Sequence, residues 1–262
     1  LLFVFVFGMK VEGVALGTLI AQYAGLFMAY LLWLRYYRPL RKYISRKQLF
    51  THDAMKRLFQ VNRDIFLRTL CLVAVTVFFT STGAAFGDVV LAVNTLLMQL
   101  FTLFSYIMDG FAYAGEALTG KYIGAGNRQE LRRTIRHLFG WGIALSLAFT
   151  LLYGIGGKEF LGLLTNEQSV ISASGDYFYW VLAIPLAGFA AFLLDGICIG
   201  ATSTNIMLKA MVVASGSFFL IYYSLHNVLH NHALWLGFIV YLALRGIMQA
   251  LLLNSSSLRT AR

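Results

Sequence analysis

Four acidic residues lie within long apolar runs of the sequence and are its first candidates for chemistry. They are Asp64, Asp109, Glu116 and Asp195. Placing an ionisable group in hydrocarbon costs about 3 kcal/mol or more, so such a residue is by default a functional hypothesis. The alternative for each acid is structural, a hydrogen bond that joins neighbouring helices.

Asp195 has the fewest local partners of the four acids. It is followed by Gly196, and no Lys or Arg lies within a helical turn of it. Without a local cation to hold it ionised, Asp195 is predicted to take up and release a proton or another cation. Ten residues earlier, Pro185 removes a backbone donor and predicts a kink in the same helix.

The apolar run over residues 89–122 carries two heptad rows of small and polar residues. Seven residues turn a helix by two revolutions less about 20°, so the two rows form one stripe, which in lipid must face other helices or water. The stripe makes Asp109 and Glu116 candidates for binding a proton or another cation, and Gln99, Thr102, Tyr106 and Tyr113 candidates for lining a cavity. The rows are Thr95, Thr102, Asp109 and Glu116, and Gln99, Tyr106, Tyr113 and Gly120.

Two further polar patterns involve arginine. Asp64 and Arg68 are four residues apart, a spacing that predicts an intrahelical ion pair with an anchoring or gating role. Tyr241, Arg245 and Gln249 are also spaced by four. Arg245 could line the cavity and neutralise an acid from another helix, or the row could be a packing contact.

The sequence gives little support to an enzyme. It contains no Gly-rich phosphate loop after a strand, no nucleophile elbow and no His-Glu-x-x-His motif. His226, His230 and His232 have one spacing that suits zinc, but the interspersed asparagines favour a wet interfacial loop over a metal site. We expect no cofactor and no bound metal.

Composition indicates a lipid environment. Hydrophobic residues make up 59% of the 262 residues and charged residues 12%, against about 25% charged in soluble domains. The mean hydropathy is +0.73. The net charge of +10 is gathered in the gaps between apolar runs, which argues for a lipid bilayer as partner and against nucleic acid.

Seven apolar runs approach or exceed the roughly 20 residues that cross a bilayer, so we predict an all-α polytopic membrane protein. Basic residues alternate between the connections, with nine between positions 35 and 63 and five between 121 and 136. The positive-inside rule then predicts that these segments and the C-terminus lie in the cytoplasm. We expect a plasma membrane protein, in bacteria of the inner membrane. The runs cover residues 13–34, 65–86, 89–122, 135–156, 177–199, 205–223 and 233–253.

Four segments carry a family resemblance. The sequence resembles the multidrug and toxic compound extrusion (MATE) transporters, and within them the DinF-like branch. The longest match, residues 108–127, reads MDGFAYAGEALTGKYIGAGN and is followed by a basic segment. The others are residues 63–69 (RDIFLRT), 194–202 (LDGICIGAT) and 13–22 (GVALGTLIAQ).

The resemblance implies two six-helix lobes that face each other across a central cavity. Residues 1–34 would then be the end of the N-terminal lobe, a remnant of its fifth helix and its sixth. Residues 35–62 would be a basic cytoplasmic linker, 63–253 the C-terminal six-helix lobe, and 254–262 a cytoplasmic tail. The missing N-terminal lobe is therefore an expected partner, and the chain is expected to be a fragment.

The resemblance also implies a function. We expect a secondary active antiporter that exports amphipathic or cationic organic compounds in exchange for protons, with sodium as the alternative coupling ion. Two other hypotheses remain open at this point. One is a flippase for lipid-linked compounds or polysaccharides from the related superfamily, and the other is a non-transporting membrane scaffold.

Overall fold

The computed structural model describes residue 9 and residues 11–38, 50–165 and 167–256. The predicted remnant at residues 1–8 lies outside the described residues. So do positions 39–49 of the predicted linker and the tail from residue 257.

All regular structure in the described ranges is helical, and seven of the helices are long and apolar enough to cross a membrane. The prediction of an all-α polytopic membrane protein is therefore confirmed. The helices are α1 (Val11–Tyr36), α2 (His52–Ala85), α3 (Asp88–Gly124), α4 (Arg128–Leu164), α5 (Gln168–Ser174), α6 (Phe178–Gly200), α7 (Thr204–Leu229) and α8 (Asn231–Ser256).

The chain divides into two compact units, residues 1–58 and residues 59–262. The first unit contains α1, an apolar helix whose large side chains are exposed, as for Tyr23 and Leu26. The second unit contains most of α2 and every later helix. All the predicted acids belong to it.

The helices run further than the hydrophobic spans predicted from the sequence. α2 begins at His52, so the second half of the predicted linker is helix continuous with the span. Residues 52–64 contain no Gly or Pro to stop the helix, and Asp53 favours its N-terminus. α4 continues to Leu164, and the short helix α5 was not predicted.

α6 is the most buried of the spans and packs directly on α3. A Cβ added at Gly196 would lie 2.0 Å from the carbonyl oxygen of Ala112, and one at Gly200 would lie 2.3 Å from that of Glu116. The two backbones can touch only because these positions, four residues apart, carry no side chain. This contact places Asp195 beside the polar stripe of α3, and α6 is continuous through Pro185.

Candidate functional site

The buried carboxylate of Asp195, on α6, forms hydrogen bonds with side chains of α2 and α8. Its Oδ2 accepts hydrogen bonds from Nη2 of Arg68 on α2 and, at 2.7 Å, from Nη2 of Arg245 on α8. Its Oδ1 accepts a bond of 2.6 Å from Nε2 of Gln249. Asp195, Arg245 and Gln249 are 6%, 3% and 0% exposed, while the Arg68 side chain is 19% exposed. We call these four residues the Asp195 cluster.

Three polar atoms of the Asp195 cluster have no hydrogen-bond partner among the described residues. They are Nε of Arg68, Nε of Arg245 and Oε1 of Gln249. The Arg245 guanidinium also lies over the Phe192 ring, 5.2 Å from its centroid. Buried polar atoms without partners are costly. The hydrogen bonds to the Asp195 carboxylate are therefore the contacts that compensate this cost in the cluster.

The structure corrects two predictions made from local spacing. Asp195 does not lack a cationic partner, because α2 and α8 each bring an arginine to it. The predicted pair of Asp64 and Arg68 is not formed. The Asp64 carboxylate instead accepts hydrogen bonds from Arg63 at 3.0 Å and from the Thr204 hydroxyl at 3.2 Å, while Arg68 reaches across to Asp195.

A cavity of about 380 Å³ lies beside the Asp195 cluster. Asp109, Tyr113 and Glu116 line it from α3, together with Arg68, Asp195 and Arg245. Both α3 acids are half-buried, and neither makes an ion pair or a hydrogen bond with the described residues. The wall thus combines one fixed ion cluster with two carboxylates that are available to a ligand.

The other predicted cavity residues on α3 do not line this cavity. Gln99 and Thr102 line a smaller one of about 160 Å³, which they share with Asn94 and with Thr76 of α2. Tyr106 is 72% exposed and lines neither cavity. The polar stripe therefore follows one face of α3, but its residues line at least two separate cavities.

The sequence reasoning missed the apolar and hydroxyl lining of the larger cavity. Phe101, Ser105 and Phe192 contribute to it, and none was predicted as a site residue. Ser105 belongs to α3 but lies outside both heptad rows. Phe101 and Phe192 resemble ordinary core aromatics in the sequence, so no local signal distinguished them.

A second buried polar network ties α3 to the start of α8. Asn94 and Asn231 exchange two hydrogen bonds of 2.8 and 3.0 Å, and the Trp235 indole donates to Asn94 at 2.9 Å. Nearby, Nδ1 of His232 lies 3.2 Å from the Trp180 indole nitrogen, which donates to it. Within the described ranges no cluster of His, Cys, Asp and Glu could hold a metal ion.

The fold and the site define the class of protein: a multi-pass membrane protein whose helices surround a charged, partly apolar cavity. The pattern of the MatE family matches residues 65–223. The chain therefore belongs to the MatE family, as the resemblance in its sequence indicated.

Individual relatives agree with this assignment. The chain is similar to the DNA damage-inducible protein F of Escherichia coli (strain K12), with 39% identity across 92% of this chain and 52% of that protein. It is 23% identical to the Protein DETOXIFICATION 42 of Arabidopsis thaliana, over 93% of this chain and 46% of the relative. The chain spans about half the length of these curated relatives.

Proposed function

We propose that the protein exports amphipathic organic cations across the membrane in exchange for protons. The observation that carries the proposal is the pair of unpartnered acids, Asp109 and Glu116, in one cavity wall with the Asp195 cluster. Membership of the MatE family and the similarity to a relative named Protein DETOXIFICATION 42 support the direction of transport.

The charge of the cavity wall provides a coupling mechanism. With all groups ionised, Arg68 and Arg245 contribute +2 and Asp195, Asp109 and Glu116 contribute −3, a net charge of −1. Protonation of Asp109 and Glu116 changes the net charge to +1. A cationic cargo is attracted to the first state and repelled by the second, so proton uptake releases cargo.

The Asp195 cluster has a different part in this mechanism from the one predicted. Its carboxylate is held by two guanidiniums and an amide, which makes it a fixed counter-ion. The two arginines then keep a positive charge in the wall, and this charge opposes the cation once the α3 acids are neutral. Proton coupling therefore belongs to Asp109 and Glu116 in preference to Asp195.

Alternating access supplies the remaining part of the proposal. In transporters built from helical repeats, the binding site lies between two halves that rock against each other. We assign residues 59–262 to one such half and propose that a second helical lobe faces it. The exposed aromatic ring of Tyr113, beside the acids, would accept flat apolar cations of varied shape.

The test is efflux of a fluorescent organic cation by the intact protein in vesicles, driven by an imposed pH gradient. The double variant Asp109→Asn/Glu116→Gln should lose proton-driven transport by about tenfold or more, because the coupling between proton and cargo resides in these acids. Asp88→Asn is the matched control, since it removes an exposed acid from the same helix outside the cavity.

Two outcomes would contradict the proposal. An unchanged proton-driven rate in the double variant would remove the α3 acids from coupling. Transport that follows a sodium gradient and ignores the pH gradient would retain the export function but refute the proton as coupling ion.

A further inference from the structure

The first half of α4 carries a row of basic side chains that faces away from the helix bundle. Arg128, Arg132 and Arg136 are spaced by four residues, so they lie on one face of the helix. These arginines are exposed, whereas Leu131 and Leu138, on another face of the helix, are 5% and 7% exposed. The basic face is therefore on the outer surface of residues 59–262.

Two adjoining shallow surface pockets lie along this face of α4. The larger, of about 790 Å³, is lined by basic and polar side chains that include Arg132, Arg133 and Arg136. The smaller, of about 310 Å³, shares Arg136 and His137 with it and continues along Gly140, Trp141 and Ala144. We call the two together the α4 groove.

The α4 groove changes in character from charged to apolar along its length. Four arginines line the first part of the groove. One nearby acid, Glu130, pairs with Arg133, with 3.8 Å between Oε1 of Glu130 and Nη1 of Arg133. Arg132 and Arg136 make no ion pair with any carboxylate in the described part of the chain. Further along, Gly140 and Ala144 leave a shallow channel beside the Trp141 ring, which is 62% exposed.

This order of groups matches one ligand chemistry. Arginine recognises phosphate oxygens with two parallel hydrogen bonds, and an exposed tryptophan beside basic residues is typical of the level where a span meets the headgroups. A span over residues 128–157 begins at the charged part of the groove. Eight residues separate Arg136 from Ala144, about 12 Å along the helix, which is enough for the first part of an acyl chain.

We propose that the α4 groove binds an anionic phospholipid, with its phosphate at Arg132 and Arg136 and an acyl chain along Gly140, Trp141 and Ala144. The site is separate from the transport cavity and does not depend on the proposed export function. It would attach the outer face of α4 to the anionic leaflet.

Lipid binding to the purified protein can be measured by native mass spectrometry, with phosphatidylglycerol and phosphatidylcholine added in turn. Arg132→Gln/Arg136→Gln should weaken retention of phosphatidylglycerol roughly 20-fold, as expected for two lost arginine contacts, and leave phosphatidylcholine unchanged. Lys121→Gln/Lys209→Gln is the matched control, because it removes two exposed basic residues elsewhere on the chain. An equal loss in this control would show general charge attraction and overturn the site.

A second comparison separates a lipid from a free anion. Trp141→Ala should weaken retention of phosphatidylglycerol but leave binding of glycerol phosphate unchanged, because only the lipid uses the apolar half of the groove. Unchanged lipid binding in Trp141→Ala, together with displacement by inorganic phosphate, would reduce the groove to an anion site and refute the lipid assignment.

Discussion

Asp195 is the residue on which the arrangement of α2, α6 and α8 depends. Two arginines converge on one of its carboxylate oxygens, and Gln249 donates to the other. Such like-charged guanidiniums can remain close in a dry site only while an anion lies between them. The acid therefore has a structural role that cannot be separated from its place in the cavity.

Removing one partner of the Asp195 cluster should destabilise the protein. Arg245→Gln is expected to lower the free energy of unfolding by about 3 kcal/mol, since the buried Asp195 carboxylate loses one of the two arginines that compensate its charge. Thermal unfolding of the purified protein measures this. Adding Asp195→Asn to Arg245→Gln should recover part of the loss, because Arg68 is partly exposed and can turn to water. Strictly additive losses would show that Asp195 and Arg245 do not interact.

Sequence reasoning identified the members of the Asp195 cluster and offered, as one alternative, that Arg245 neutralises an acid from another helix, as it does with Asp195; it did not predict which acid, or the bond from Arg68. Each stood out as a polar residue in an apolar run. Spacing within a helix, however, reports only neighbours three or four positions away. The bonds that form join residues 127 and 50 positions apart, and these depend on which helices pack together. The Asp64 and Arg68 pair was wrong for this reason.

At the scale of helices, the contact between α3 and α6 decides where the cavity lies. Gly196 and Gly200 bring α6 against the backbone of α3 at Ala112 and Glu116. Asp109, Tyr113 and Glu116 thereby line the same cavity as Asp195. Acidic side chains from α3 and α6 line the same cavity because the backbones of these two helices are in contact.

Two glycine substitutions test this contact. Gly196→Ala should destabilise the protein by about 3 kcal/mol or more, because the added methyl group meets the Ala112 carbonyl and α3 must shift. Gly110→Ala, on α3, meets nothing within 4 Å and should stabilise its helix by up to about 1 kcal/mol. Unfolding curves of the two variants provide the comparison, and equal stability would show that the helices can separate without cost.

The elements themselves were largely predictable. Long apolar runs require helices in lipid, since every backbone group must be satisfied within the segment. Their ends were less predictable, because α2 and α4 continue as helix beyond the hydrophobic run. The short helix α5 was missed since it has only seven residues, too few to show a clear period.

At the scale of the whole molecule, the alternation of basic segments predicts which ends of the helices face the cytoplasm. The segment between α3 and α4 lies beside Lys121 and Arg128, while the turn between α2 and α3 has no basic residue. The positive-inside rule therefore places these two connections on opposite sides of the membrane.

Thiol labelling can measure this orientation in cells. In a variant without Cys71 and Cys198, an impermeant thiol reagent should label Asp88→Cys from outside but reach Ala125→Cys only after the cells are opened. Both positions are exposed in the structure, so a difference in labelling reports the side of the membrane. The reverse pattern would invert the predicted topology.

The backbone contact at Gly196 and Gly200 also limits how this protein can move. Helices that meet through side chains can slide, whereas two backbones in contact behave as a single mechanical piece. The Asp109 and Glu116 carboxylates of α3 and the Asp195 carboxylate of α6 would then move together. Under the proposed alternating access, opening and closing would be absorbed at other helix contacts, and the proposed coupling acids would keep their arrangement while access changes from one side to the other.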